Sequence, residues 1–151
     1  MTEPNAPTMR LALPKGHMSE GVMQLLSDAG VRLTRGSRSY RPGISLPGFE
    51  VKLLKPQNIV KMLHVGSRDL GFAGADWVRE LNAEVVELLD TGLDPVRVVA
   101  AAPEALVAKG WPPKGPLVVA SEYQQLTLRW IEERELDARF VRSFGATEVF
   151  P

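Results

Sequence analysis

The 151-residue sequence contains no cysteine, only two histidines and no excess of charge of either sign. The lack of cysteine excludes disulfides, thiolate nucleophiles and cysteine-ligated zinc, and it fits a cytoplasmic protein. Eighteen basic residues balance eighteen acidic ones, so no overall field favours DNA, RNA or a membrane surface. No hydrophobic run approaches the length needed to span a bilayer. Any affinity for an anion must therefore be local.

The chain opens with a polar, proline-containing stretch that lacks the apolar core of a signal peptide, so residues 1–9 are predicted to be a flexible leader. Beyond it, short apolar runs alternate with helical periodicity, which is typical of an α/β fold. Residues 92–95 interrupt the pattern, which predicts a first lobe over 10–94 and a second over 95–151. The second lobe holds few elements for an independent core, so the chain is expected to be a fragment of a longer protein.

Local patterns predict the individual elements. Apolar residues recur at helical spacing over 22–29, where Ser19 can cap the helix and Gly30 can end it. Pro56 suits the first turn of a second helix, which Gly66 ends. Further helices are predicted to open at 74–76 and after 121–123. Strands are predicted over 11–13, from 31, and over 49–54, 69–73, 85–89, 96–101, 117–120 and 140–141, with surface connections over 34–48 and 110–116.

Residues 10–16 place a strand, a Pro-Lys-Gly turn and a helix start next to one another. Backbone N–H groups, the helix dipole and the Lys15 ammonium then point at one place, which suits a bound phosphate. Lys15 can also be a polar turn residue, and Gly16 either lets the backbone approach a ligand or serves the turn alone. His17 is either a ligand contact or an exposed residue at the helix start.

Charged residues elsewhere allow two interpretations each. Asp69 and Asp76 flank a glycine-rich turn. They can stabilise the turn and cap the helix that follows it, or they can bind a nucleotide. Three arginines lie in the predicted connection, at positions 35, 38 and 41. Each alone is typical of a solvated loop charge, but together they could close over a bound phosphate. Arg38 is predicted to contact the substrate.

A second group of polar residues, Ser121, Glu122 and Tyr123, precedes a predicted helix. They either bind a ligand at the helix N-terminus or simply open the helix. No Ser/His/Asp arrangement indicates hydrolysis. Two distant histidines without cysteine do not indicate a zinc site, so no metal ligands are predicted.

Five short motifs occur in order along the chain. They are Leu-Pro-Lys-Gly at 13–16 with the Ser-Glu helix behind it, Lys-Pro-Gln-Asn-Ile at 55–59, Asp-Leu-Gly-Phe-Ala-Gly-Ala-Asp at 69–76, Ser-Glu-Tyr at 121–123 with Leu-Thr at 126–127, and Gly-Ala-Thr-Glu-Val-Phe-Pro at 145–151. Each motif alone is weak. Together they resemble the catalytic subunit of ATP phosphoribosyltransferase, and the resemblance extends from residue 10 onward.

The resemblance implies a two-lobed α/β fold like the type II periplasmic binding proteins, with the active site between the lobes and the second lobe incomplete in this chain. It implies a reaction that joins N1 of the adenine of ATP to C1 of phosphoribosyl pyrophosphate with inversion, the first step of histidine biosynthesis. Pyrophosphate leaves bound to Mg²⁺, which belongs to the substrate. By the same resemblance, Asp69 and Gly74 line the nucleotide side of the cleft and Glu148 lies near it.

The sequence departs from the family pattern in two places. His17 stands where the family usually has arginine, so a bidentate phosphate contact is lost, and an arginine of the 34–48 connection can supply the charge. The family's Thr-Gly loop for phosphoribosyl pyrophosphate, which follows the Glu-Val segment, does not occur by residue 151. This absence is expected to remove part of the catalytic apparatus from the chain.

An alternative function is a non-catalytic cytoplasmic module of the same fold that binds a small anion or a nucleotide. Family members also differ in their partners: long forms carry a histidine-responsive domain, and short forms pair with a subunit resembling histidyl-tRNA synthetase. Exposed edges of an unfinished lobe favour self-association, so a homo-oligomer is expected.

Overall fold

A computed structural model of the protein describes residues 8–34, 40–145 and 147. The leader predicted over residues 1–9 lies largely outside the described residues. The chain divides between Val96 and Arg97 into two compact units. The described elements are β1 (Met9–Pro14), α1 (Met18–Asp28), β2 (Leu33–Thr34), β3 (Gly43–Ile44), β4 (Phe49–Leu54), α2 (Pro56–His64), β5 (Leu70–Gly71), α3 (Ala75–Glu80), α4 (Glu104–Val107), β6 (Leu117–Ser121), α5 (Gln124–Glu133) and β7 (Ala138–Arg142).

The first unit is built on a three-stranded parallel sheet in the order β4–β1–β5. In the central strand, Leu11, Ala12 and Leu13 are all buried, as expected of a parallel strand that is covered on both faces. The register places Pro14 opposite Leu54 and Ala12 opposite Gly71. Because the strands are parallel, their carboxyl ends meet at one edge, and α1, α2 and α3 all begin near it.

Helices α1 and α2 each bury an apolar stripe. Val22 of α1 belongs to the core cluster with Leu11, Leu13 and Val51, and Ile59 of α2 is fully buried. Full burial of an aliphatic side chain of this size contributes about 1.5–3 kcal/mol, so these few residues fix both helices to the sheet.

Most of the predicted helix ends in the first unit are confirmed. α2 begins at Pro56, and Gly30 and Gly66 follow the ends of α1 and α2 with φ of 78° and 70°. The predicted cap at Ser19 is wrong, because α1 begins at Met18 and Ser19 lies within it. The Ser19 N–H is bonded instead to the carbonyl of Gly16 at 3.0 Å, so the tight turn itself starts the helix.

A short antiparallel pair borders and enters the surface connection that was predicted over residues 34–48. β2 pairs with β3, with Leu33 opposite Ile44 and Thr34 opposite Gly43. The strand predicted to begin at residue 31 therefore begins two residues later.

The second unit contains the parallel pair β6–β7, with α5 between them in the chain. The strands predicted over 117–120 and 140–141 are confirmed, and so is the loop over 110–116. Trp111 and Trp130 lie with ring centroids 6.0 Å apart. In the described part of the chain, no helix combines the length and the apolar character that crossing a membrane requires.

The strands predicted over residues 85–89 and 96–101 are wrong. Both segments are irregular, and side chains such as Val86 and Leu88 are 83% and 76% exposed. A strand needs a neighbour to complete its backbone hydrogen bonds. The described residues contain no strand that pairs with either segment. The apolar pattern was therefore insufficient, because it does not report whether a pairing partner is present.

Candidate functional site

Three strand-to-helix turns meet at the carboxyl edge of the first unit's sheet. β1 leads through Lys15 to α1, β4 leads through Lys55 to α2, and β5 leads through Gly74 to α3. The first amides of a helix lack intrahelical partners, and its N-terminus carries a partial positive charge. This edge, called the carboxyl edge below, is therefore suited to an anionic ligand.

Lys15 is half-buried at the end of β1. Its N–H donates to the Leu54 carbonyl at 2.8 Å, and its Nζ lies 3.5 Å from the centroid of the Tyr40 ring. The Tyr40 carbonyl in turn accepts a hydrogen bond from the Leu53 N–H at 2.8 Å. Tyr40 was missed from the sequence because nothing in its loop composition indicates a contact with a residue 25 positions earlier.

Lys55 is the neighbour of Lys15 across the sheet. Since Pro14 lies opposite Leu54, the two lysines that follow stand at the carboxyl ends of adjacent strands. Lys55 is exposed and occupies the N-cap position of α2. The two ammonium groups concentrate positive charge in a chain that has no net charge. The sequence motif contained Lys55, but only the parallel register places it beside Lys15.

The other residues predicted for this edge occupy the turns themselves. Gly16 has φ of 82°, and a Cβ built on it would meet nothing within 4 Å, so its backbone is open to a ligand. His17 is exposed at the N-cap position of α1. Gly74 is the N-cap of α3, and the Asp76 carboxylate lies where a Cβ on Gly74 would stand. The ligand contacts of Gly16, His17 and Gly74 stay predictions.

Asp69 lies at the opposite end of the sheet. Its carboxylate pairs with Arg10: Oδ1 is 2.7 Å from Nη2, while Oδ2 accepts from Nε at 2.9 Å and from the Arg10 N–H at 2.8 Å. These hydrogen bonds from Arg10 lower the pKa of Asp69 to about 2. Arg10 precedes Lys15 by five residues of extended chain, roughly 16 Å. The structure therefore does not bring Asp69 together with Lys15.

In the second unit, polar residues gather at the carboxyl ends of β6 and β7. The Ser121 Oγ accepts from the Tyr123 N–H at 3.0 Å, and Tyr123 is the N-cap of α5, with Glu122 half-buried between them. Ser143, which is 3% exposed, donates its N–H to the Ser121 carbonyl at 3.0 Å. Its Oγ lies 2.7 Å from the Thr147 Oγ1. Ser143 was missed because a lone serine after a strand carries no motif.

Arg38 and Glu148 lie outside the described residues. Within residues 8–34, 40–145 and 147, no group of three or more His, Cys, Asp or Glu side chains is placed to hold a metal ion.

Helix N-termini at the carboxyl ends of parallel strands are typical of α/β proteins that bind phosphorylated ligands, and the two lysines add positive charge at this edge. The family model for HisG, ATP phosphoribosyltransferase, matches residues 55–151, and the chain belongs to this family. The resemblance seen in the sequence motifs is thereby confirmed.

Individual relatives agree with the family model. The ATP phosphoribosyltransferases of Pelotomaculum thermopropionicum and Desulforudis audaxviator are each 36% identical to the chain, over 146 and 147 residues. That of Chlorobium phaeobacteroides is 32% identical over 148 residues. These matches cover 93%, 93% and 95% of this chain and 50% of each relative. The chain therefore spans about half the length of the curated relatives it matches.

Among solved structures, a chain of the ATP phosphoribosyl transferase (HisG:HisZ) complex from Thermotoga maritima is similar, with a TM-score of 0.69 and 24% identity. The match covers 94% of this chain and 67% of that chain. At this identity the likeness shows the fold, and it confirms the predicted α/β class.

Proposed function

We propose that the protein acts as an ATP phosphoribosyltransferase, which condenses ATP with phosphoribosyl pyrophosphate to N1-(5-phosphoribosyl)-ATP and pyrophosphate, the first step of histidine biosynthesis. The observation that carries the proposal is the position of Lys15 and Lys55 at the N-termini of α1 and α2 on one edge of the sheet. Membership of the family selects this reaction among those that use polyphosphates.

The chemistry needs such an edge because both substrates are polyanions that repel each other. Lysine ammonium groups and helix N-termini reduce that repulsion and stabilise the charge that develops on departing pyrophosphate. Mg²⁺ enters as part of the phosphoribosyl pyrophosphate substrate. We assign phosphate binding to Lys15, Lys55, Gly16 and His17.

The remaining assignments are carried by the family and by local polar geometry. We place the turn at Gly74 on the nucleotide side, and we expect Arg38 and Glu148 to contact substrate. The hydrogen-bonded group of Ser121, Tyr123 and Ser143 supports a second set of polar contacts beside Glu122. For Asp69 we propose no ligand contact, because its carboxylate is paired with Arg10.

The finer architecture is also proposed. We equate the two units with the two lobes of a type II periplasmic-binding-protein-like fold and expect the protein to be cytoplasmic. Exposed apolar side chains over residues 85–101 support a homo-oligomer. The similar Thermotoga maritima structure is a HisG:HisZ complex, which supports a regulatory subunit resembling histidyl-tRNA synthetase.

The test is release of pyrophosphate from phosphoribosyl pyrophosphate and Mg²⁺, with and without ATP, by the 151-residue chain and by Lys15→Ala. Lys61→Ala is the matched control, because Lys61 is an exposed lysine on α2 away from its N-terminus. ATP-dependent release that Lys15→Ala abolishes and Lys61→Ala preserves would support the transferase.

Absence of release would contradict the proposed activity for this chain. If ATP still bound to the wild-type chain and Lys15→Ala weakened that binding, the alternative of a non-catalytic nucleotide-binding module would take its place. Absence of both release and binding would contradict both functions.

A further inference from the structure

The contact between Lys15 and Tyr40 joins two parts of the chain that the sequence does not connect. The Lys15 Nζ lies 3.5 Å from the centroid of the Tyr40 ring, well inside the range of about 6 Å over which an ammonium is attracted to an aromatic face. Tyr40 is 64% exposed and is not part of the hydrophobic core cluster. Its most specific contact is therefore with the lysine.

Both residues are fixed by the same strand. The Lys15 N–H is bonded to the Leu54 carbonyl on the side of β4 that faces β1, and the Tyr40 carbonyl is bonded to the Leu53 N–H. Successive residues of a strand direct their backbone groups to opposite sides. Tyr40 is thus anchored on the free edge of β4, and its ring reaches across the end of that strand to the ammonium.

Anchoring matters because a lysine side chain has four rotatable carbon bonds and loses about 2 kcal/mol of rotamer entropy when it is fixed. A lysine that is held before the ligand arrives loses less of that freedom on binding. The ring covers one face of the ammonium. The N–H donors on the other side of the ammonium are not used by this contact and are left for a ligand.

We propose that Tyr40 is a positioning residue that holds the Lys15 ammonium at the carboxyl edge in the orientation in which it binds a phosphate group. This inference rests on the proposed phosphate role of Lys15. Tyr40 does not itself contact the ligand. Its aromatic face is required, whereas its hydroxyl is not.

The strength of an exposed cation–π contact sets the expected effect. At about 0.5–1 kcal/mol, loss of the ring should weaken phosphate affinity about two- to fivefold. Loss of the ammonium itself should weaken affinity about tenfold or more, because hydrogen bonds to charged groups are stronger.

The experiment is calorimetric titration of inorganic pyrophosphate into the 151-residue chain and four variants: Tyr40→Leu, Tyr40→Phe, Lys15→Ala and the double variant Lys15→Ala/Tyr40→Leu. Tyr40→Leu should weaken the affinity about two- to fivefold, and Tyr40→Phe should keep the wild-type value because it retains the ring. In the Lys15→Ala background, Tyr40→Leu should have no further effect, since the two residues act as one unit. Thermal midpoints of the Tyr40 variants should match, because the side chain is largely exposed.

Three results would overturn the inference. Equal or tighter binding by Tyr40→Leu, with Lys15→Ala still weakened, would show that the ring does not help Lys15 and would leave the proposed function intact. The same loss from Tyr40→Leu in both backgrounds would show that Tyr40 contacts the ligand directly. Unchanged affinity of Lys15→Ala would remove the phosphate role of Lys15, and with it both this inference and the geometric support for the proposed function.

Discussion

At the scale of single residues, position relative to a strand decides what a charged side chain can do. Lys15 follows β1 and stands at the carboxyl edge, whereas Asp69 precedes β5 and stands at the amino edge, where Arg10 binds it. Both residues belong to conspicuous motifs in the sequence. The strand boundaries alone separate the residue that stands beside helix N-termini from the residue that forms an ion pair.

The Arg10–Asp69 pair makes stability depend on pH in acid. Arg10 holds the pKa of Asp69 at about 2 against an ordinary 3.8, so the stabilisation is complete above about pH 4 and is lost as pH falls towards 2. Asp69→Asn should therefore lower the urea midpoint at pH 7, and its difference from wild type should shrink between pH 4 and pH 2. A difference of constant size across this range would contradict the assignment. Glu87→Gln, at an exposed position of an irregular segment, is the control.

Lys55 offers a second test at this scale. Because Lys55 stands beside Lys15 at the N-terminus of α2, Lys55→Ala should weaken pyrophosphate affinity severalfold at low salt. Raised salt should reduce the difference by screening. Calorimetry measures it, with Lys61→Ala as control. If Lys55→Ala and Lys61→Ala weakened pyrophosphate affinity equally, the effect would come from overall charge and not from a binding site at Lys55.

At the scale of elements, periodicity was reliable where the described chain also supplies the element's partner. The predicted strand over 49–54 matches β4, which pairs with β1, and Pro56 opens α2 because the proline ring favours the first turn of a helix. Residues 85–89 and 96–101 have equally apolar sequences but form no strands, since pairing depends on another part of a chain. For the same reason, neither the contact of Tyr40 with Lys15 nor the position of Lys55 beside Lys15 could be predicted, because both depend on how distant parts of the chain pair and not on local composition.

Two glycines should respond in opposite directions to the same change. A Cβ on Gly71 would lie 2.7 Å from the Ile59 Cγ2 and 3.2 Å from the Ala12 carbonyl oxygen, and both belong to the packed core. Gly71→Ala should therefore destabilise the protein by about 1–3 kcal/mol. Denaturant unfolding with fluorescence detection measures the change.

Gly21 provides the matched substitution. It lies within α1, and its Cβ would meet Leu93 at an ordinary 3.5 Å. Gly21→Ala should therefore stabilise the protein by about 0.5–1 kcal/mol, because alanine favours the helix. A loss of stability from Gly21→Ala, or none from Gly71→Ala, would contradict the packing described for the first unit.

At the scale of the whole molecule, the protection of backbone amides from hydrogen exchange is expected to differ between segments. β1 and β4 pair along six residues and bury Leu11, Leu13 and Val51, whereas residues 86–89 and 96–101 make no backbone–backbone hydrogen bond within the described part of the chain. Hydrogen exchange should therefore be slow in the two strands and fast in both segments. Slow exchange in the segments would show that a partner, such as a second copy of the chain, completes them.

The central claim is that phosphate binds at the carboxyl edge of the first unit. The most direct measurement is a ¹H–¹⁵N correlation spectrum of the labelled chain titrated with inorganic pyrophosphate. The largest shift changes are expected in the turns after β1 and β4, at residues 15–19 and 55–58, and they should disappear in Lys15→Ala. Largest changes at the amino edge, around Arg68 and Asp69, or at no connected set of residues, would contradict the claim.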